Sequence, residues 1–172
     1  MALHVARLHA PDAAAYRRLM LQAYATEPDA FTSTAEERAP LPASFWLRRI
    51  EDPAGRSSVW GAFSGLELCG AVALERFDKP RTAHKAHLLG MYVAAAYRGQ
   101  GAGRALLDAA LQHARSVPDL RVVVLTVTEG NRSAMQLYQG AGFQTFGIEP
   151  LAIRTDSGFH TKVHMRLEWP QV

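Results

Sequence analysis

The chain has 172 residues, 48% of them apolar and 20% charged, with a formal net charge of +3, seven histidines and one cysteine. That length and balance suit one ordered domain over residues 1–172 with a sizeable core, and exclude a disordered or collagen-like chain. One cysteine excludes a disulfide framework, and a mild, dispersed basic excess suits an anionic small ligand rather than nucleic acid.

No apolar run reaches the length of a membrane span, and Met1, Ala2, Leu3 and His4 carry no leader pattern. The expectation is a cytoplasmic protein that does not engage a membrane.

Residues 3–8 read as a first strand. Pro11 and Asp12 then open a helix over residues 12–26, with Asp12 as N-cap and Ala15, Tyr16, Leu19, Met20 and Ala23 on its apolar stripe. Residues 27–42 are polar and proline-bearing, a loop or partial helix, and residues 43–51 form a second helix stopped by Pro53 and Gly55. Residues 59–63 and 66–77 are strands joined at Ser64 and Gly65, with Cys69 a small buried hydrophobe in the second. Residues 84–93 form a fourth strand, in which Gly90 marks a bulge or a close backbone approach.

Residues 104–115 are an amphipathic helix that buries Leu106, Leu107, Ala110, Leu111 and Ala114. The almost unbroken apolar and β-branched run 122–128 predicts a central strand buried on both faces. A short helix follows over 131–140, capped by Asn131, with Ala134, Leu137, Tyr138 and Ala141 on one stripe. Residues 143–148 and 159–168 are the last strands, separated by a mobile surface loop at 150–158. No exposed apolar stripe points to a homodimer, and dimerisation stays open.

The most informative stretch is Arg98, Gly99, Gln100, Gly101, Ala102 and Gly103, between a strand and a helix. Alternate glycines let a ligand approach the backbone, and the unpaired amides of the next helix turn, with its dipole behind them, form an anion site. Arg98 and Arg104 flank the loop and are placed to bond the same phosphate. A nucleotide-triphosphate loop would end in Gly-Lys-Ser/Thr, but Ala102, Gly103 and Arg104 stand here. A dinucleotide fingerprint would space its glycines differently and place an acid about twenty residues on, which this chain lacks.

The loop instead resembles the acyl-coenzyme A loop of the GNAT superfamily, the Gcn5-related N-acetyltransferases, with its Gln/Arg-x-x-Gly-x-Gly/Ala pattern. The strand before it (His87, Leu88, Leu89, Gly90, Met91, Tyr92, Val93) and the downstream Asn131 and Leu137 to Phe143 segment are similar to the same family. The likeness covers residues 84–146. It implies an α+β, three-layer fold: a mixed, mostly antiparallel sheet of about seven strands, splayed between the fourth and fifth, with helices on both faces. It also implies acetyl-CoA as acyl donor, no metal, and an N-acetyltransferase acting on a primary amine of a small molecule or peptide.

On that resemblance Met91, Tyr92, Val93, Arg98, Gly99, Gln100, Gly101, Ala102, Gly103, Arg104 and Asn131 hold the cofactor. Backbone groups near Met91 and Val93 polarise the acetyl carbonyl, and Tyr138 is the general acid. A phenol stays protonated at neutral pH and can protonate a departing thiolate. Some members carry a glutamate on the fourth strand where this chain has His87. The base is therefore open among His87, Glu75 and water.

The loops at 27–42 and 150–158 are where the family selects its acceptor. Glu27, Asp29, Glu36 and Glu37 give the first an acidic excess suited to a cationic amine. A non-catalytic acyl-CoA sensor on the same fold is the alternative, and a nucleotide-binding regulator lacks the lysine and acid it would need.

Overall fold

The computed structural model describes residues 2–170. Its elements run β1 (Leu3–Arg7), α1 (Ala13–Thr26), α2 (Ala35–Arg38), α3 (Ala43–Ile50), β2 (Ser57–Ser64), β3 (Glu67–Arg76), β4 (Lys85–Val93), α4 (Ala102–Ser116), β5 (Val122–Thr128), α5 (Arg132–Gly140), β6 (Gln144–Thr155) and β7 (Gly158–Glu168). The strands form one open sheet in the order β1-β2-β3-β4-β5-β7-β6. Every neighbouring pair is antiparallel except β4 and β5.

Strand alternation divides the core in two. Val72, Leu74, Leu88, Val123 and Leu125 face Leu106, Leu107, Ala110 and Leu111 of α4, with Tyr138 of α5 joining that layer. Val59, Ala71 and Ala73 face the opposite side, where Tyr16, Leu19, Met20 and Ala23 of α1 and Trp46 and Ile50 of α3 cover them. The three layers expected from the sequence are present.

Two features of β4 position the site. The parallel ladder joins only Lys85, Ala86 and His87 to Val122, Val123 and Val124, after which the strands part. On its other edge, Ala71 pairs with Tyr92 and Ala73 with Leu89, so β4 carries an extra residue. Gly90 sits there at φ +63°, where a Cβ is disfavoured. The expected bulge is present, and bulges bend a strand away from its partner.

Several local expectations need correction. Asp12 stands at the N-cap position of α1, but its side chain makes no capping bond to that helix. It closes a preceding 3-10 turn (Ala10–Asp12), its carboxylate accepting from the His9 amide at 2.8 Å. β5 is fully buried along one face, at Val123, Leu125 and Val127; on the other, Val122 and Val124 are half-buried, Thr126 lies exposed beyond the last pair with β4, and only Thr128 is buried. Residues 150–158 are not a loop. β6 continues through them to Thr155 past a register shift, with Leu151 in the left-handed region at φ +54°. The outer strands do expose apolar side chains, Phe146, Ile148, Leu151 and Phe159.

Candidate active site

β4 leads through a 3-10 turn (Ala95–Tyr97) into the glycine loop. Gly99 and Gly101 hold φ +74° and +84°, and a Cβ on either would meet nothing within 4 Å. The glycines are therefore required by backbone conformation, and the space in front of them is open. Gly101 caps α4, whose first backbone bond there is the Ala105 amide to the Gly101 carbonyl at 3.0 Å. The amides ahead of it are left for a ligand.

The loop forms one wall of a cleft of about 420 Å³. Met91, Tyr92, Val93, Arg98, Gly99, Gly101, Ala102 and Gly103 line one side, with Asn131, Ala134 and Leu137 opposite. Gln100 and Arg104 do not line it. The Gln100 amide donates to the Ala96 carbonyl at 3.2 Å, and Arg104 pairs with Asp108 at 2.9 Å. Arg98 lines the cleft with its guanidinium engaged, Nε donating to the Val93 carbonyl at 2.9 Å and Nη2 to Glu27 at 2.6 Å. The two arginines expected to share one anion are thus tied to other partners. Tyr92 turns its ring into the core, its hydroxyl 3.2 Å from that of Thr26, so its backbone is what it offers the cleft.

A second cavity of about 380 Å³ continues from the first, sharing Phe31, Met91, Asn131 and Ala134 with it. It contains both expected catalytic side chains. Tyr138 is buried edge-on against Phe143 at 5.8 Å. Burial pushes its hydroxyl well above the ordinary value, so it is protonated at neutral pH. His87 stands on β4 directly opposite Glu75 of β3. Burial lowers the imidazole pKa, the Glu75 carboxylate opposes that shift, and His164 adds to it. His87 also reaches an outer basin of about 600 Å³, which Glu75 lines.

Asn131 caps α5, its Oδ1 accepting from the Ala134 amide at 3.3 Å. Cys69 is buried with its thiol donating to the Ala62 carbonyl at 3.3 Å, and burial raises its pKa. It sits as a small, protonated core side chain. Among the described residues no group of three or more His, Cys, Asp or Glu is placed to hold a metal.

Three of the four acids of the 27–42 segment are engaged within the chain, and Glu36 is in the first turn of α2. Glu27 is bound to Arg98, and Glu37 accepts from the Thr34 amide as the cap of α2. Asp29 accepts from the Thr155 hydroxyl at 2.6 Å and the Ser157 hydroxyl at 3.0 Å, with His160 at 3.3 Å. These hydrogen bonds, rather than exposure, hold the Asp29 carboxyl below the usual range.

Sequence reasoning missed Lys162 of β7. It is buried, donating to the Thr128 hydroxyl at 2.9 Å and the Ala30 carbonyl at 3.3 Å, and it lines the second cavity. The available signal was a lysine next to the apolar Val163 in a strand pattern. Lys162 and Asp29 together fasten the 28–30 turn over the parted strands.

A parallel pair that separates after three residues, with a left-handed glycine loop at its end, defines the acyltransferase architecture expected above. The chain belongs to the GNAT acetyltransferase family, whose model matches residues 16–143. It is 32% identical to mycothiol acetyltransferase of Geodermatophilus obscurus over 142 residues, covering 80% of this chain and 43% of that protein. It is 34% identical to N-alpha-acetyltransferase RimI of Mycobacterium tuberculosis over 110 residues, covering 63% of this chain and 65% of that protein. The chain therefore spans less than two thirds of either relative. Among solved structures, yncA of Salmonella typhimurium, determined with its cofactor acetyl-CoA, superposes with a TM-score of 0.86 at 17% identity, over 100% of this chain and 96% of that one. A GCN5-related N-acetyltransferase from Kribbella flavida gives 0.82 at 24% identity over 98% of both chains. At such identities these two establish the fold.

Proposed function

We propose that residues 1–172 form a single acetyl-CoA-dependent N-acetyltransferase domain that acetylates a primary amine by direct attack in a ternary complex. The observation that carries this is that two cavities sharing Phe31, Met91, Asn131 and Ala134 adjoin one another where β4 and β5 part. Beyond His87 and Val124 the facing edges of these strands have no strand partner. Unpaired backbone amides and carbonyls need partners, and an extended pantetheine arm with its own amides fits them. The glycine loop fits the pyrophosphate, with Gly99, Gly101, Ala102 and Gly103 presenting backbone.

Acetyl-CoA supplies a thioester-activated acetyl group there; binding and orientation fall to the chain. His87, kept neutral by burial, or a water it holds, takes the ammonium proton. The amine nitrogen then bonds to the acetyl carbon as the carbon–sulfur bond breaks. Of the two protons left on nitrogen, one stays in the amide and the other leaves to His87 or its water, which has by then passed the ammonium proton to solvent. Tyr138 gives its hydroxyl proton to the departing sulfur and regains one from solvent. Cys69 is sealed in the core, which leaves no acetyl-enzyme step for it.

Steady-state kinetics with acetyl-CoA and an amine panel test this. Intersecting double-reciprocal lines are expected; parallel lines would indicate an acetyl-enzyme and contradict it. Acetyl-CoA binding without turnover on any amine would favour the sensor reading.

A further inference from the structure

The second cavity is cationic. Arg38, Arg49 and Lys162 line it, and no aspartate or glutamate does. Arg38 and Arg49 converge on one aromatic ring, their guanidinium carbons 5.0 Å and 5.5 Å from the centre of Phe45.

The chain offers these arginines little countercharge of its own. Arg49 forms no ion pair among the described residues, and Arg38 has only Glu37, at 3.7 Å. Glu37 is already used as a helix cap. The buried Arg38 Nε has no hydrogen-bond partner, an unmet donor in a half-buried side chain. Lys162 is held by two neutral oxygens. The carboxylates that share the outer basin with Arg49 are Asp52 and Asp78, which pair with Arg56, and Glu75, which stands opposite His87 and forms no ion pair among the described residues.

Given the acetyltransferase reading above, on which this inference rests, the geometry points to an acceptor amine that carries its own carboxylate, a free amino acid or amino-acid-like molecule, held by Arg38 and Arg49. The carboxylate forms charge-assisted bonds with the two guanidinium groups, and bidentate pairing suits their planar shape. The amine then points toward His87 and Tyr138 at the other end. The same cations disfavour an ammonium ion in the cavity, which helps the acceptor shed its proton without a strand glutamate. A polyamine or aminoglycoside would bring more positive charge to a wall that already has three cations.

The test is a matched panel: the twenty L-amino acids, their amides, spermidine and kanamycin, each assayed with acetyl-CoA for release of the free thiol. Expected is that at least one amino acid is acetylated with kcat/KM about tenfold or more above its amide, the worth of one or two charged hydrogen bonds. In Arg49→Gln or Arg38→Gln that acid-to-amide ratio collapses toward one, and Arg49→Lys restores part of it. An unchanged affinity for acetyl-CoA shows that each variant is folded. Equal use of acids and amides, preference for spermidine or kanamycin, or a variant ratio like that of the parent would overturn the inference. Turnover on amides or polyamines alone would overturn it while leaving the acetyltransferase reading standing. Failure to bind acetyl-CoA would remove both.

Discussion

The two cavities that meet between β4 and β5 are built in opposite ways. The glycine-loop cleft is a backbone site: positive-φ glycines, helix amides and parted strand edges, with its arginines tied to other groups. The second cavity is a side-chain site, drawing on α2, α3, β4, β5, α5 and β7. A backbone site recognises a constant ligand through features that any sequence of the right conformation can supply. A side-chain site can be retuned one residue at a time. One fold can therefore keep its cofactor and change its acceptor.

The comparison can be broken most sharply at Tyr138. Tyr138→Phe keeps the ring against Phe143 and removes only the hydroxyl. Turnover should fall by about a hundredfold or more, in the range for a lost general acid, with acetyl-CoA affinity preserved by calorimetry. Undiminished turnover would remove Tyr138 from the chemistry.

The converse substitution is Gly101→Val. A β-branched residue cannot hold φ +84° without strain. Acetyl-CoA affinity should weaken by about tenfold, from a conformational cost of roughly 1–2 kcal/mol, with the loss appearing in KM for the cofactor. Unchanged affinity would show that the loop does not carry the phosphate.

A smaller effect is expected at the fastening between the sites. Asp29→Ala removes the acceptor for the Thr155 and Ser157 hydroxyls. The acceptor KM should rise severalfold, on the scale of about 1 kcal/mol for a surface hydrogen bond, while the acetyl-CoA KM stays put. Equal changes in both would mean that the turn serves the whole cleft.

The mildest effect is on stability with pH. Burial holds His87 and His113 below their ordinary values, aided at His113 by Arg7 and Arg76. As the pH falls, the unfolded chain takes up these protons first. Their contribution is full above about pH 6.5, the unfolded-state value, and is lost as the pH descends through the lower folded-state values. Urea midpoints should therefore drop between neutrality and mildly acidic pH. His87→Gln should flatten part of that drop; an unaltered slope would contradict the assignment.

What could be read in advance follows the same division. Residues 98–103 are contiguous, and the conformations they need are written in glycine spacing, so the backbone site was legible. The fold order was legible too, because α1, α4 and α5 have helical stripes and the strands alternate. Arg38 and Arg49 stand on the consecutive short helices α2 and α3, but Lys162 comes from the last strand, and nothing local marks the three as neighbours. The open face of β5 depends on where β4 leaves it, a tertiary fact that its apolar sequence hides. The full length of β6 is hidden for a local reason: Pro150 reads as a strand end, yet the strand continues past it with a register shift and Leu151 in the left-handed region.

The most direct test of the account is thermal unfolding of ligand-free protein with acetyl-CoA, and separately with AMP or NAD. At about 100 times its Kd a ligand stabilises the native state by about 2.7 kcal/mol, a rise of roughly 5 to 10 °C for a chain of this size. The account predicts that shift with acetyl-CoA and not with the nucleotides. No shift, or an equal one with AMP or NAD, would contradict it.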